Sequence, residues 1–278
     1  MGSLALALFG CDIIDPNKAR ELPAPTDTSN LDTTSAGAIA MVRRVLLYDF
    51  TGHTCGNCPA AHLVAADLKK AHGDRLAIVN VHAGYFAEPK PAAYIRFTYD
   101  YRTQAGTALD NQYGASSAAL PKGVVDGVAA NGSYVFSQTA WPALVSQRLA
   151  LPCVVGLGGS VTYSGNTLGL TIRARPAQAL NKNMQLVVYL IEDSLINWQK
   201  NYAKNPNDLP DYIHKYMLRE QLVYVPAFLK QGAILEKRQS FTISQLLKNA
   251  VSHYHALAVL KADDGEVMQV LEMLITPQ

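Results

Sequence analysis

The sequence predicts an α/β domain followed by an all-β domain, and two patterns carry this prediction. In residues 44–152, apolar runs of strand length alternate with segments in which apolar residues recur at helical spacing, as in parallel βαβ units. From residue 153 onward, short β-branched or alternating runs are separated by Gly and Asn turns, as in a β-sandwich. The 278 residues, 49% hydrophobic and 17% charged, are sufficient for two globular domains.

Charge and cysteine content exclude several classes of protein. The formal net charge is +2 and no long run of Lys and Arg occurs, so we expect no nucleic-acid partner. No stretch reaches the roughly 20 apolar residues that a membrane-spanning helix needs. The four cysteines are too few for a disulfide-dense scaffold; they are Cys11, Cys55, Cys58 and Cys153.

The N-terminal segment predicts a lipid anchor. Residues 4–10 are apolar or small and end in Leu8-Phe9-Gly10-Cys11, which resembles the lipobox of bacterial lipoproteins. The usual basic start is missing, and the alternative is a short apolar leader with a chance cysteine. We expect residues 1–10 to be a signal-peptide remnant and Cys11 to carry the lipid that binds the membrane. Residues 11–43, rich in Pro, Thr, Ser, Asp and Asn, are then a flexible tether.

The first buried strand leads into a dithiol motif. An apolar run over 44–50 ends in Asp49 and Phe50, and a Gly-containing turn precedes Cys55-Gly56-Asn57-Cys58-Pro59. The next segment is helical in pattern, so the dithiol lies at a helix N-terminus. Unpaired N–H groups and the helix dipole favour a thiolate there, and the second sulfur is close enough to attack a mixed disulfide formed at the first. The motif predicts a thiol–disulfide redox site.

A βαβ unit surrounds this motif. A helix is predicted over 58–72, with Pro59 in its first turn and Gly73 at its end. Its apolar residues recur at helical spacing: Ala61, Val64, Ala65 and Leu68. Residues 76–82, LAIVNVH, predict a second strand. Strand, helix and strand in succession imply parallel strands joined by a right-handed crossover.

An aromatic-rich insertion, residues 86–117, comes next, and we expect helices over 92–101 and 107–113. The aromatic residues in and beside it are Tyr85, Phe86, Tyr94, Phe97, Tyr99, Tyr101 and Tyr113. Either they pack the insertion onto the sheet, or some of them line a groove over the dithiol. Residues 120–127, LPKGVVDG, then predict a strand and a turn, and 139–149 predict the closing helix.

The C-terminal half shows mainly strand patterns. Five strands are predicted, over 154–163, 167–175, 184–192, 255–261 and 266–275. The last two flank Asp263-Asp264-Gly265, which indicates a hairpin. A short strand is expected over 241–243 and a short helix or turn over 244–250. Residues 199–225 read as a polar loop followed by a motif that contains His214 and Arg219, for which paired structural roles are favoured over contact with a partner.

Three features together resemble the thioredoxin-like family: Asp49 followed by Phe50, the Cys55–Cys58 dithiol, and Pro121 before a strand. The resemblance implies that Pro121 is cis and faces the dithiol, leaving the backbone of Leu120 free to pair with an extended substrate. There are departures from the family pattern. Thr54 stands where many thioredoxins have Trp, and Gly56-Asn57 replaces Gly-Pro. The Lys that partners the buried acid in thioredoxin has no match.

The whole chain resembles the Omp28-related outer membrane lipoprotein family of Bacteroidetes, which joins a thioredoxin-like domain to a β-rich domain. The resemblance implies a thioredoxin-like domain with a helical insertion over 44–152 and an all-β, immunoglobulin-like β-sandwich over 153–278. It also implies a protein of the cell envelope of a Gram-negative bacterium, an outer membrane lipoprotein that faces the periplasm or the cell surface.

The predicted chemistry is thiol–disulfide exchange on protein or peptide thiols. Cys55 attacks, Cys58 resolves, and Asp49 exchanges a proton with Cys58, a role that a pKa raised by burial supports. Pro121, Leu120 and Thr54 are expected to contact substrate. His53 is also assigned to substrate binding and, if protonated, favours the Cys55 thiolate; the alternative is a solvated loop residue. No dissociable cofactor is implied, because the cysteines hold the electrons.

The sequence leaves two other functions open. In the first, the Cys55–Cys58 disulfide is a permanent staple in a non-catalytic interaction module, which would require the disulfide to be buried. In the second, the two cysteines bind a metal with His53 and His62, although structural zinc usually needs a second, separated ligand pair. No such pair is evident in the sequence, so no metal ligands are assigned.

Overall fold

The computed structural model describes residues 38–242 and 251–277. The predicted lipidation site Cys11, the signal-peptide remnant, residues 11–37 of the predicted tether and the predicted helix over 244–250 lie outside the described residues. Within the described part, no helix is long and apolar enough to cross a membrane.

The α/β unit has the predicted succession of elements. Strands β1 (Val45–Thr51) and β2 (Leu76–His82) pair in parallel along their whole lengths, and every residue of both is buried. Helix α1 (Cys58–His72) connects them, with Pro59 in its first turn. Its apolar face packs against one face of β1. The apolar runs and the helical spacing therefore placed these three elements to within one residue.

The insertion and the end of the unit contain three further elements. Helix α2 (Gln104–Tyr113) begins where Thr103 Oγ1 accepts a hydrogen bond from the Gly106 N–H. Strand β3 (Lys122–Val125) pairs antiparallel with β1, and helix α3 (Trp141–Leu149) follows. Single 3₁₀ turns occupy Gly73–Arg75, Tyr85–Ala87, Ala92–Tyr94, Ser116–Ala118, Gln138–Ala140 and Val251–His253.

The helix predicted over 92–101 is wrong beyond its first turn. Ile95 and Phe97 take left-handed backbone conformations, with φ of 53° and 59°, and β-branched or bulky side chains adopt such conformations only under tertiary constraint. The chain here follows the contacts of the insertion rather than its helical pattern.

The described part of the C-terminal half contains nine strands. They are β4 (Val155–Ser164), β5 (Thr167–Pro176), β6 (Met184–Glu192), β7 (Leu195–Lys200), β8 (Asp208–His214), β9 (Met217–Ala227), β10 (Leu235–Thr242), β11 (Tyr254–Ala262) and β12 (Val267–Pro277). The predicted hairpin corresponds to β11 and β12. Strands β7, β8 and β9 occupy the region interpreted as a polar loop and motif. Strand β10 begins well before the short strand that was expected over 241–243. Its charged residues hid it in the sequence, but they are tolerated because β10 is an edge strand that pairs only with β5.

Ten strands form one sheet, and β7 and β8 form a separate hairpin. The order in the large sheet is β10-β5-β4-β12-β11-β6-β9-β2-β1-β3. The two halves of the chain join where Asn80 of β2 pairs with Met217 of β9, and one hydrophobic core contains residues from both halves. The chain is thus a mixed α/β protein that is mostly sheet, and a separate immunoglobulin-like sandwich is not confirmed.

A buried ion cluster also joins the two halves. Asp126, directly after β3, is fully buried and pairs with Arg43 and with Arg148 of α3, whose Nε lies 2.9 Å from the carboxylate. The same Arg148 reaches Glu266 at 2.8 Å, just before β12. Because each guanidinium and carboxylate here has an opposite partner, burial of these charges is compensated.

Candidate functional site

The predicted dithiol is a disulfide between Cys55 and Cys58. It occupies the turn between β1 and α1, and Cys58 is the first residue of the helix. The Cys55 N–H donates to the Gly52 carbonyl at 3.0 Å, and the Cys58 N–H donates to the Cys55 carbonyl at 3.2 Å. Cys55 is only 3% exposed and Cys58 is fully buried. The two cysteines therefore differ little in exposure.

The buried acid lies beside the first turns of α1. Asp49 has no exposed surface, and neither carboxyl oxygen has a hydrogen-bond partner among the described residues. Burial raises the pKa of Asp49 well above its ordinary value, because it disfavours the charged form of the carboxyl group. The nearest basic group is His62 Nε2, 3.8 Å from Asp49 Oδ2. Cys58 precedes His62 by four residues, one helical turn, so both are on the same side of α1.

His62 connects the acid to the C-terminal half. Its ring nitrogens share hydrogen bonds with Thr51 Oγ1, at 2.9 Å, and with the Tyr212 hydroxyl of β8, at 2.7 Å. Burial lowers the pKa of His62 to about 4. Burial thus favours the uncharged forms of both Asp49 and His62 over an ion pair. The sequence offered His62 only as a possible metal ligand, and nothing local indicates Tyr212, which is 150 residues away.

The proline predicted from the thioredoxin resemblance is in the expected conformation. The Leu120–Pro121 peptide bond is cis, which confirms that prediction. Leu120 is 8% exposed and belongs to the same hydrophobic core as Cys55 and Cys58. Leu120 and the two cysteines, more than 60 residues apart in the sequence, thus contribute to one hydrophobic core.

His53 and Thr54 hold the insertion against the dithiol loop. Thr54 donates through both its N–H, at 3.1 Å, and its Oγ1, at 2.9 Å, to the Phe86 carbonyl. His53 is fully buried and its Nε2 donates to the Glu88 carbonyl at 3.1 Å. Burial lowers the pKa of His53 to about 4. The protonated His53 and the solvated His53 considered from the sequence are therefore both corrected to a buried, neutral imidazole.

Two more buried histidines, His82 and His214, lie close to Tyr101 and His53. His82 was not assigned from the sequence, and His214 was singled out there for a paired structural role. The ring of Tyr101 lies 4.6 Å from His82, 4.7 Å from His214 and 5.3 Å from His53, measured between ring centroids. Burial lowers the pKa of His82 well below its ordinary value and that of His214 to about 3. Arg219, singled out with His214, pairs with Glu192 at 3.0 Å, which agrees with the structural role favoured for it.

The β7–β8 hairpin covers the disulfide loop. Gln199 Nε2 donates to the Cys55 carbonyl at 3.1 Å and to the Gly52 carbonyl at 3.3 Å. The backbone N–H of Tyr202 donates to the Gly56 carbonyl at 2.9 Å. A Cβ at Gly56 would lie 2.5 Å from the Tyr202 ring, so only glycine permits this contact. The low exposure of Cys55 follows from this cover.

In the part of the chain described, no group of three or more His, Cys, Asp or Glu side chains is arranged to hold a metal ion. Cys55 and Cys58 are bonded to each other in this state, so neither offers a thiolate ligand.

A family model described as outer membrane protein Omp28 matches residues 106–278. Among solved structures, HBP35 of Porphyromonas gingivalis is similar with a TM-score of 0.64 and 15% identity, over 87% of this chain and 79% of that one. Protein AGR_C_4864 from Agrobacterium tumefaciens is similar with a TM-score of 0.52 and 13% identity, over 84% of this chain and 95% of that one. At these identities both likenesses concern the fold alone. No curated protein matches the chain in sequence.

Proposed function

The chain belongs to the Omp28 family of outer membrane proteins, and on that premise we propose that it is an outer membrane thiol–disulfide oxidoreductase acting on protein or peptide thiols. We further propose that residues 44–152 form a thioredoxin-like unit, that residues 153–278 form the β-rich domain, and that a lipid on Cys11 attaches the protein to the membrane. A protein attached in this way faces either the periplasm or the cell surface.

One observation carries the proposed activity: a disulfide at the N-terminus of α1 lies on the same side of the helix as His62, which is next to the buried Asp49, whose pKa is raised by burial. A thiolate generated at Cys58 is stabilised by the helix N-terminus. A carboxyl group with a raised pKa is suited to exchange a proton near neutral pH. This combination supports exchange chemistry more strongly than it supports a structural disulfide, because a structural disulfide needs no proton donor.

These residues support exchange in both directions, as oxidation of substrate thiols and as reduction of a substrate disulfide. A substrate thiolate attacks the Cys55 sulfur, the Cys55–Cys58 bond breaks, and Cys58 leaves as a thiolate that Asp49 protonates. The mixed disulfide at Cys55 is then resolved by a second substrate thiolate, which leaves the substrate oxidised and both cysteines reduced. In the reverse direction Cys55 attacks a substrate disulfide, and Cys58 gives its proton to Asp49 as it resolves the mixed disulfide. Leu120 and Pro121 are proposed to contact the substrate backbone.

A second candidate function has its own support. The disulfide is almost completely buried beneath the β7–β8 hairpin, and burial is what a permanent staple in an interaction module requires. The two candidates differ in what the hairpin does. For exchange, the hairpin must move away from Cys55 while the rest of the protein stays folded; for a staple, the disulfide becomes accessible only when the protein unfolds.

We therefore expect Tyr202→Ala to accelerate reduction of the disulfide by dithiothreitol. Removing the ring that covers Gly56 weakens the cover by about 1–2 kcal/mol, which corresponds to a factor of about 5 to 30 in the open population. The rate is measured by thiol trapping under native conditions and compared with the rate of global unfolding. Phe228→Ala is the matched control, because Phe228 is an exposed aromatic that follows β9.

The outcomes separate the two candidates. Reduction faster than unfolding in the native protein, accelerated by Tyr202→Ala but not by Phe228→Ala, supports exchange. Reduction that proceeds only at the rate of global unfolding, with no effect of Tyr202→Ala, supports the staple.

A further inference from the structure

A pocket of about 590 Å³ lies next to the dithiol loop. It is bounded by Thr54, by the aromatic-rich insertion and by the β7–β8 hairpin, and Thr54 directly precedes Cys55. Its volume is within the range of roughly 300–1,000 Å³ that is typical of ligand pockets. Some of the insertion's aromatic residues therefore line a depression next to Thr54, and others, such as Tyr101, are buried.

The pocket has an aromatic lining that is accessible to a ligand. Tyr85, Tyr94 and Tyr202 line it and are 67%, 64% and 60% exposed. Aromatic rings with this degree of exposure do not belong to the hydrophobic core. They offer flat apolar surfaces on which an aromatic or aliphatic side chain can pack.

The residues that line the pocket carry a net charge of +2. Lys90, Arg96 and Lys200 line it together with one carboxylate, Asp208. Arg96 and Lys200 both pair with Asp208, at 3.2 and 2.7 Å. The Lys90 ammonium lies 5.0 Å from the centre of the Tyr85 ring, and within residues 38–242 and 251–277 it has no carboxylate partner. A ligand with a negative charge would therefore complement the pocket.

We propose that this pocket recognises the side chains that flank the reactive cysteine of a peptide substrate, and that it selects an acidic residue together with an aromatic one. The proposal rests on the proposed exchange function and names its substrate class. The acidic group would pair with Lys90, and the aromatic group would pack on Tyr94 and Tyr202. Because Thr54 is both a wall of the pocket and the residue before Cys55, a peptide held there has its cysteine at the dithiol.

The test uses three synthetic peptides in which serine replaces the reactive cysteine, so that binding is measured without exchange. Their flanking residues are acidic and aromatic, basic and aromatic, or acidic and alanine. We expect the oxidised protein to bind the acidic–aromatic peptide at least about tenfold more tightly than either of the others, with an affinity that falls as salt is added. Fluorescence anisotropy measures the affinities. Equal binding of the three peptides, or preference for the basic one, overturns the proposal.

Variants assign the effect to the pocket. Lys90→Glu is expected to weaken binding of the acidic–aromatic peptide about tenfold and to improve binding of the basic one. Tyr94→Ala is expected to weaken binding of the acidic–aromatic peptide and leave that of the acidic–alanine peptide unchanged. Lys230→Glu is the matched control, since Lys230 is an exposed lysine beyond β9. An effect of Lys230→Glu equal to that of Lys90→Glu would mean that overall charge, not the pocket, is responsible.

The same peptides with cysteine restored separate this proposal from the function on which it rests. If the acidic–aromatic serine peptide binds selectively but its cysteine form is never exchanged, exchange is wrong and the pocket is a recognition site. If all three cysteine peptides are exchanged at equal rates and none binds selectively, exchange stands and the pocket proposal is wrong.

Discussion

Cys55→Ala is expected to abolish thiol–disulfide exchange and leave the fold intact. Cys55 is the sulfur at which the mixed disulfide forms, so no partial activity remains when it is removed. The fold is held by a ten-stranded sheet and by cores that extend far beyond the dithiol. Exchange is measured as reduction of a peptide disulfide by the prereduced protein. A Cys153→Ala background removes the other described cysteine, whose thiol is partly buried.

The matched variant is Cys58→Ala, which removes only the resolving thiol. It should form mixed disulfides with substrate at Cys55 that persist, because no internal sulfur remains to release them. These adducts are detected by mass spectrometry and disappear in the double variant. Full exchange activity in Cys55→Ala, or adducts that form equally well without Cys55, would remove the basis of the assignment.

The free energy of unfolding is expected to rise steeply between about pH 4 and pH 6.5. Burial lowers the pKa of His53 and His62 to about 4 and that of His214 to about 3, from an ordinary value of 6.5. In this window the unfolded chain binds protons that the folded chain does not, so stability falls as the pH is lowered through it. Each proton of difference is worth about 1.4 kcal/mol per pH unit, and we expect a loss of several kcal/mol between pH 7 and pH 5.

Asp49 acts in the opposite direction but does not reverse the trend. Burial raises its pKa, so above its ordinary value of 3.8 the folded state binds a proton that the unfolded state lacks, and stability from this group is lost as the pH rises through the folded pKa. Asp126, whose pKa burial also raises, acts in the same direction as Asp49. These two carboxyl groups are outnumbered by the four described histidines whose pKa burial lowers, His53, His62, His82 and His214. The net slope in this window therefore remains positive.

Denaturant unfolding of the oxidised protein at several pH values measures the slope. His214→Gln should reduce it by up to one proton, whatever its effect on stability at a single pH, because the slope counts protons and not contacts. His72→Gln, at the partly exposed end of α1, is the matched control. Stability that stays constant from pH 5 to pH 7, or a slope unchanged by His214→Gln, would contradict the buried neutral histidines.

The parts that the sequence predicted well are those with local signals. The apolar runs of β1 and β2, the helical spacing of α1, Pro59 and Gly73 are all read within 30 residues of the dithiol, and together they place Cys55 and Cys58 at the helix N-terminus. The cis proline could be inferred only by resemblance, since no local pattern requires it.

The parts that were missed depend on contacts between distant segments. Gln199 bonds to the Cys55 carbonyl across 144 residues, and Tyr212 bonds to His62 across 150. The hairpin that carries both residues has short strands rich in polar side chains, a pattern that is equally typical of a loop. Similarly, one residue pair, Asn80 with Met217, joins the two halves into one sheet, and neither residue has a local feature that would reveal it.

The reduction potential of the Cys55–Cys58 pair distinguishes most directly between an oxidoreductase and a protein with a structural disulfide. It is obtained by equilibrating the protein in glutathione buffers and trapping the free thiols, with Cys153 replaced by alanine. We expect a reversible transition between roughly −270 and −120 mV, the range of working oxidoreductases, with the protein folded throughout. A disulfide that stays oxidised at potentials well below roughly −300 mV would be a structural staple and would contradict the proposed exchange function.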